Sequence, residues 1–118
     1  MDGQQLAAWV DSYVDAWSTN EPADIVALFS EGARYYTAPW REPWEGHDGI
    51  LEGWLEEQRD DPGTWRFRYE VLAASGELGF VRGWTDYTDG DRYVNLWIVR
   101  LGPDGLCSEF TEWFMEPS

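Results

Sequence analysis

Residues 81–101 read VRGWTDYTDGDRYVNLWIVRL. Two arms of β-branched and aromatic residues flank Asp89-Gly90, and that dipeptide is the strong signal of a two-residue β-hairpin. Working outward, a period of two runs from Thr64 to Met115. It resolves into four strands, about 64–74, 77–88, 91–101 and 106–115. Ser75-Gly76 separates the first pair, and Gly102-Pro103-Asp104-Gly105 the last. Four consecutive strands joined by short turns make an antiparallel meander.

Upstream of Thr64 the spacing changes. Leu6, Trp9, Val10, Tyr13, Val14 and Trp17 recur at intervals of three and four, the stripe of an amphipathic helix. Glu21-Pro22 opens a second helix, with Ala23, Val26, Ala27 and Phe29 as its buried side and Gly32 as its stop. Ala33 to Thr37 is a short aromatic strand, followed by a proline- and tryptophan-rich loop over residues 39–46. Asp48 caps a third helix with Ile50, Leu51, Trp54 and Leu55 as its stripe, and Asp60-Asp61-Pro62-Gly63 breaks it. Helices first and a meander after is an α+β order in one domain, residues 1–118.

Two-residue turns fix register. Pairing Ala74 with Glu77, Thr88 with Asp91, and Leu101 with Leu106 aligns three rows on one sheet face. The rows are Phe67, Trp84, Asn95, Glu112; then Tyr69, Arg82, Trp97, Phe110; then Trp65, Asp86, Tyr93, Phe114. That face is mostly aromatic, so the helices should cover it, yet it carries Arg82, Asp86, Asn95 and Glu112. The opposite face would hold Val81, Gly83, Thr85, Tyr87, Val94, Leu96, Ile98, Thr111 and Trp113. It is apolar enough to need a cover, which points to a homodimer through the outer sheet face.

Composition excludes whole classes. The chain has nine tryptophans and no lysine, which removes Schiff-base, pyridoxal-phosphate and P-loop chemistry. A net charge of −15, from 23 acidic residues against 8 arginines, argues against nucleic acid and anionic membranes as partners. No apolar stretch reaches the length of a signal segment or a membrane span. One cysteine, Cys107, cannot make an internal disulfide and suits a reducing cytoplasm. One histidine, His47, rules out a His-rich metal site, so neither a metal nor a cofactor is expected.

Several local patterns join this order of elements. They are Ala16-Trp17 followed by Ile25-Val26-Ala27-Leu28-Phe29, then Gly46-His47-Asp48-Gly49-Ile50 at the third helix. Asn95-Leu96-Trp97-Ile98-Val99-Arg100 follows, with Asp104-Gly105 and Glu109-Phe110-Thr111-Glu112-Trp113 after it. In these the chain resembles the SnoaL-like members of the nuclear transport factor 2-like superfamily over nearly its whole length. The resemblance implies a cone, with N-terminal helices packed on the concave face of a curved, mostly antiparallel sheet. Function varies widely across that fold, so it must be argued from the site.

Glu112 is the leading candidate for catalysis, because an apolar setting raises a carboxylate toward the working range of a general base. The resemblance agrees, since limonene-epoxide-hydrolase-like members carry an acidic residue at a position that looks like Glu112. Those enzymes also carry an arginine like Arg82, with an aspartate two residues later. Trp84 stands there in this chain, and Asp86 lies two further on. Arg82 and Asp86 are kept as candidate catalytic groups, with Asn95 to orient a substrate carbonyl. Tyr13, Trp17, Tyr36, Trp40, Trp54, Phe67, Tyr69, Trp84, Trp97 and Phe110 are candidate ring walls for a small hydrophobic molecule. The reading is a cyclase, isomerase, dehydratase or hydrolase; the alternative is a non-catalytic ligand-binding or dimeric module. A pocket of roughly 300 Å³ or more with Glu112 at its floor favours the first. A cavity filled by Trp54, Trp84 and Trp97 favours the second.

Overall fold

A computed structural model of the chain describes residues 1–116, so the last two residues of the expected domain lie outside it. The order is α1 (Gly3–Thr19), α2 (Pro22–Val26), β1 (Phe29–Tyr36), β2 (Trp44–Glu45), α3 (Gly46–Gly53) continued by a π-helical turn (Trp54–Gln58), then β3 (Trp65–Ser75), β4 (Leu78–Tyr87), β5 (Arg92–Leu101) and β6 (Cys107–Met115). The strands form one sheet in the order β2-β1-β6-β5-β4-β3. Every pair is antiparallel except β1 with β6. The N-terminal helices pack on the concave face, the α+β cone that the resemblance implies. No helix among the described residues is long and apolar enough to cross a membrane.

Helix α1 begins with a capping box. The Asp2 side chain accepts from the Gln5 N–H, and Gln5 Oε1 accepts from the Asp2 N–H, satisfying two orphan donors of the first turn. It buries Leu6, Trp9, Val10, Tyr13, Ala16 and Trp17. Asn20 ends it in the left-handed region, at φ 53°, which asparagine tolerates better than most residues. The same asparagine is buried, accepting from Trp54 Nε1 at 3.0 Å and donating to the Asp60 carbonyl at 2.8 Å. It thereby pins α1 to the end of the π turn.

The expected second helix is cut short and ends in strand. Only Pro22–Val26 is helical, and Phe29 already opens β1. Ile25, Leu28 and Phe29 are buried, while Ala23 and Ala27 are exposed. Five residues are too few for a helical stripe to set the burial pattern, and parallel pairing with β6 takes over at Phe29.

The hairpins depart from the expected turns by one residue each. Ser75 pairs with Leu78 around Gly76-Glu77, with Gly76 at φ 61° as the first central residue of a type II′ turn requires. Between β4 and β5 the loop has three residues, not two. Tyr87 N–H donates to the Asp91 carbonyl at 2.9 Å, and Gly90 at φ 101° supplies the bulge. The Pro103–Gly105 loop also has three residues, and a further bulge between Arg100 and Leu101 shifts β6 again.

A one-residue slip turns a strand over. Strand β4 is slipped by one against both neighbours, so Val81, Gly83, Thr85 and Tyr87 face the helices. Arg82, Trp84 and Asp86 face outward, beside Leu96, Val94 and Arg92. On β6 the two shifts cancel. Phe110, Glu112 and Phe114 keep the inner face, but Glu112 now lies opposite Trp97 and Asn95 opposite Phe114.

Rings fill the apex of the cone. Tyr13 lies within 4.7–6.2 Å, centroid to centroid, of Trp9, Trp17, Trp54, Trp97 and Phe110. Aromatic pairs at such separations add about 0.5–1.5 kcal/mol each beyond the area they bury. The rigid ring cluster therefore sets the depth at which open space begins.

Candidate active site

A cleft of about 790 Å³ opens between the ring cluster and the wide end of the cone. Tyr13 and Trp17 line it from α1, Tyr35 from β1, Gln58 and Asp60 from the π turn and its exit. Thr85, Tyr87, Tyr93, Asn95, Trp97, Glu112 and Phe114 line it from the meander. Arg41, Trp44, Glu57, Arg59, Asp89 and Asp91 stand on the same lining.

Glu112 is walled by protein on its strand side and keeps partial access through the cleft. Burial pushes its carboxyl up to about 8 from an ordinary value of 4.5. The Asn95 amide opposes this, donating to Glu112 Oε1 at 3.0 Å, and the nearby Trp97 N–H opposes it more weakly. That indole N–H lies against Glu112 without reaching hydrogen-bond geometry, and it is buried with no other partner among the described residues. No arginine pairs with Glu112 among the described residues. Asn95 is itself oriented, because Thr85 Oγ1 donates to Asn95 Oδ1 at 2.9 Å. Thr85 and Asn95 are both buried, so the three side chains form a continuous polar line from β4 through β5 to β6.

A second polar group faces this line. The Tyr13 and Tyr35 hydroxyls are 2.6 Å apart. Tyr35 donates to Gln58 Oε1 at 3.2 Å, and Gln58 Nε2 donates to the Tyr13 oxygen at 3.3 Å. Tyr13 then gives its hydrogen to Tyr35, and the ring of three closes. Burial holds both hydroxyls well above the ordinary tyrosine range. The Glu112 charge pushes both the same way; Tyr13 raises Tyr35 further, whereas the bond to Tyr35 pulls Tyr13 back and Gln58 lowers both. Asp60 anchors the far wall, accepting from Trp17 Nε1 at 3.0 Å and the Tyr87 hydroxyl at 2.9 Å.

Of the expected site residues, Glu112, Asn95, Trp97, Tyr13 and Trp17 come together on the cleft. Phe67, Tyr69 and Phe110, on the inner face of the sheet, and Trp54, in the π turn, stand behind it. Phe67 stacks on Trp97, and Phe110 stacks on Tyr35. The Tyr69 hydroxyl donates to Asp11, while Trp54 is fully buried. Arg82, Trp84 and Asp86 are elsewhere, for the reason given by the β4 slip. Arg82 pairs with Glu70, Asp86 with Arg92, and the Arg68 guanidinium covers the Trp84 ring at 4.1 Å. Tyr36 is on the outer face, because β1 turns Ala33 and Tyr35 inward. Trp40 is 80% exposed and walls nothing.

Sequence reasoning missed Tyr35, Gln58, Asp60, Thr85 and Tyr87. The correct hairpin lengths would have yielded Thr85 and Tyr87, and the Ala33–Tyr35 alternation would have yielded Tyr35. Nothing in the sequence singles out Gln58 or Asp60, which reach the cleft through a π turn. Such turns are rare and often sit at functional sites. His47 is structural, its Nε2 2.8 Å from the Phe29 carbonyl. Among the described residues no three His, Cys, Asp or Glu side chains converge as metal ligands would.

A family model described as a SnoaL-like domain matches residues 10–110. Among solved structures, a provisionally assigned ketosteroid isomerase from Kribbella flavida is 25% identical, with a TM-score of 0.75 over 98% of this chain and 82% of its own. A nuclear transport factor 2-like protein of unknown function from Burkholderia xenovorans is 13% identical, with a TM-score of 0.75 over 100% of this chain and 88% of its own. A ketosteroid isomerase-like protein from Erwinia carotovora is 16% identical, with a TM-score of 0.69 over 98% and 97%. The last two likenesses bear on the fold alone. No curated protein matches the chain at a significant level.

Proposed function

The chain belongs to the SnoaL-like domain family, and from that premise and the cleft we propose an isomerase or cyclase that moves a proton on a small carbonyl-bearing molecule. The observation that carries this reading is Glu112, a carboxyl facing the cleft, held by Asn95 and pushed up to about 8 by burial. The ionised form of a carboxyl in that range takes a proton from carbon beside a carbonyl, and the acid so formed returns it to another atom of the same molecule. The negative charge that develops on the carbonyl oxygen needs donors. The Tyr35 hydroxyl supplies one when the oxygen replaces Gln58 Oε1 as its acceptor, and Tyr13 stands behind it in the ring. Trp17, Trp97, Tyr93 and Phe114 give the substrate flat apolar walls. Epoxide hydrolysis of the Asp-Arg-Asp kind has no support, because Arg82 and Asp86 are on the outer face.

The test is exchange of α-protons for deuterium on a panel of carbonyl compounds that includes β,γ-unsaturated 3-ketosteroids. Wild-type protein should accelerate exchange or isomerisation of at least one. Glu112→Gln should lower that rate by about 10²–10⁴-fold, the usual worth of a general base. A variant that exchanges as fast as wild type removes Glu112 from the chemistry.

One observation favours a non-catalytic binding module instead. The Tyr13–Tyr35–Gln58 ring and the Asp60 contacts satisfy one another without a ligand. A ligand retained without any exchange on the panel would support that reading. In either case we propose a homodimer through the outer faces of β5 and β6, where Trp113 is 47% and Met115 72% exposed beside Val94, Leu96 and Ile98. Sedimentation as a monomer at micromolar concentration would overturn it.

A further inference from the structure

The links of the Thr85–Asn95–Glu112 line differ in what they can do. A carboxylate only accepts, and a carboxylic acid also donates. An amide has one donating and one accepting end, whereas a threonine hydroxyl does both. With Glu112 ionised, the line runs as found, Thr85 O–H to Asn95 Oδ1 and Asn95 N–H to Glu112 Oε1. With Glu112 protonated, the Asn95 amide keeps both of its partners if it turns over. Glu112 O–H then donates to Asn95 Oδ1, and Asn95 N–H donates to Thr85 Oγ1. Only the residue at the far end must change from donor to acceptor, and only a hydroxyl there can.

We propose that Thr85 is a positioning residue whose hydroxyl lets the Asn95 amide turn over each time Glu112 gains or loses its proton. This rests on the reading of Glu112 as the acid–base group. The line is closed at its Thr85 end and at its centre, because Thr85 is 2% and Asn95 6% exposed, while its Glu112 end opens on the cleft. Valine at 85 would leave one end of Asn95 unpaired in both states, and aspartate would fix a single direction.

The groups that face Glu112 from other elements do not compete for the amide. Tyr13 from α1 and Tyr35 from β1 are engaged with each other and Gln58, and Tyr87 from β4 donates to Asp60. Arg41, Glu57, Arg59, Asp89 and Asp91 stand elsewhere on the lining, and none pairs with Glu112. The Trp97 N–H adds to the anion only, so it biases the equilibrium without orienting Asn95.

The experiment is nuclear magnetic resonance of uniformly labelled protein from pH 5 to 10, following the Glu112 side-chain carboxyl carbon and the Asn95 side-chain amide. In wild-type protein the amide protons should be near Glu112 at high pH and near Thr85 at low pH, changing over with the carboxyl midpoint. Thr85→Ser should keep that exchange of neighbours, and Thr85→Val should lose it. If Thr85→Val does not fold, the wild-type titration and Thr85→Ser decide. A Glu112 that titrates while Asn95 keeps one orientation overturns the relay and leaves the acid–base reading standing. A Glu112 that stays ionised over the whole range overturns both.

Discussion

Gly83 lies directly under the ring of Phe67: a β-carbon on Gly83 would stand 2.5 Å from Phe67 Cε1. The ring is also stacked on Trp97 at 5.0 Å and 14°. It has little room to retreat, and Gly83→Ala should destabilise the protein by about 1–3 kcal/mol, the range of overpacked core positions. With the two-residue turns expected from the sequence, Gly83 would face outward, where alanine is at worst neutral in a strand. Urea denaturation of the variant therefore tests the register of β4 itself. An unchanged midpoint would mean that Arg82 and Trp84, not Gly83 and Thr85, face the helices.

Stability should carry the mark of Glu112. Its carboxyl is raised from 4.5 to about 8 in the fold, so the folded chain holds a proton that the unfolded chain has lost between those values. Its contribution is therefore neutral below about pH 4.5, grows unfavourable as pH rises through 8, and then levels off. The full effect is on the order of 3 kcal/mol, allowing for the side chain's partial access to the cleft. Glu112→Gln, which cannot ionise, should match wild type near pH 4.5 and exceed its stability at pH 9. Thermal melts of the two proteins across that range measure the difference. Parallel curves would mean that Glu112 is an ordinary exposed carboxylate.

The fold was readable because it follows from periodicity. The stripe from Leu6 to Trp17, the alternation after Thr64 and the glycine-bearing turns each have a local cause that the structure retains. The candidate site was readable on α1, through Tyr13 and Trp17, and on β5 and β6. Asn95, Trp97 and Glu112 kept their face because β6 slips by two residues, while β4 slips by one and loses Arg82, Trp84 and Asp86 to the outside. Whether Asp-Gly closes a two- or a three-residue loop is decided by strand twist and bulges, which the dipeptide alone does not encode. Gln58 was out of reach for another reason. Its place in the cleft depends on a π turn that begins at Trp54, whose indole is bonded to Asn20, a contact between side chains 34 residues apart.

The two polar groups of the cleft should separate under mutation. Tyr13→Phe removes one of the two buried hydroxyls from the ring of three. Gln58 Nε2 then loses its acceptor, and the Tyr35 oxygen loses its donor. A cost of about 1–3 kcal/mol follows, since each orphaned buried group forfeits its hydration. The Glu112 midpoint should stay near 8, because the groups that set it are burial, Asn95 and Trp97, and Tyr13 is not one of them. Asn95→Leu should do the reverse. It removes the strongest donor to the anion and moves the Glu112 midpoint alkaline, while the tyrosine ring stays closed. Carbon-detected titration of Glu112 in both variants, with a urea melt of each, separates the effects. A midpoint that moves in Tyr13→Phe would make the tyrosine ring part of the acid–base group. The oxyanion would then have to be held by some donor other than Tyr35.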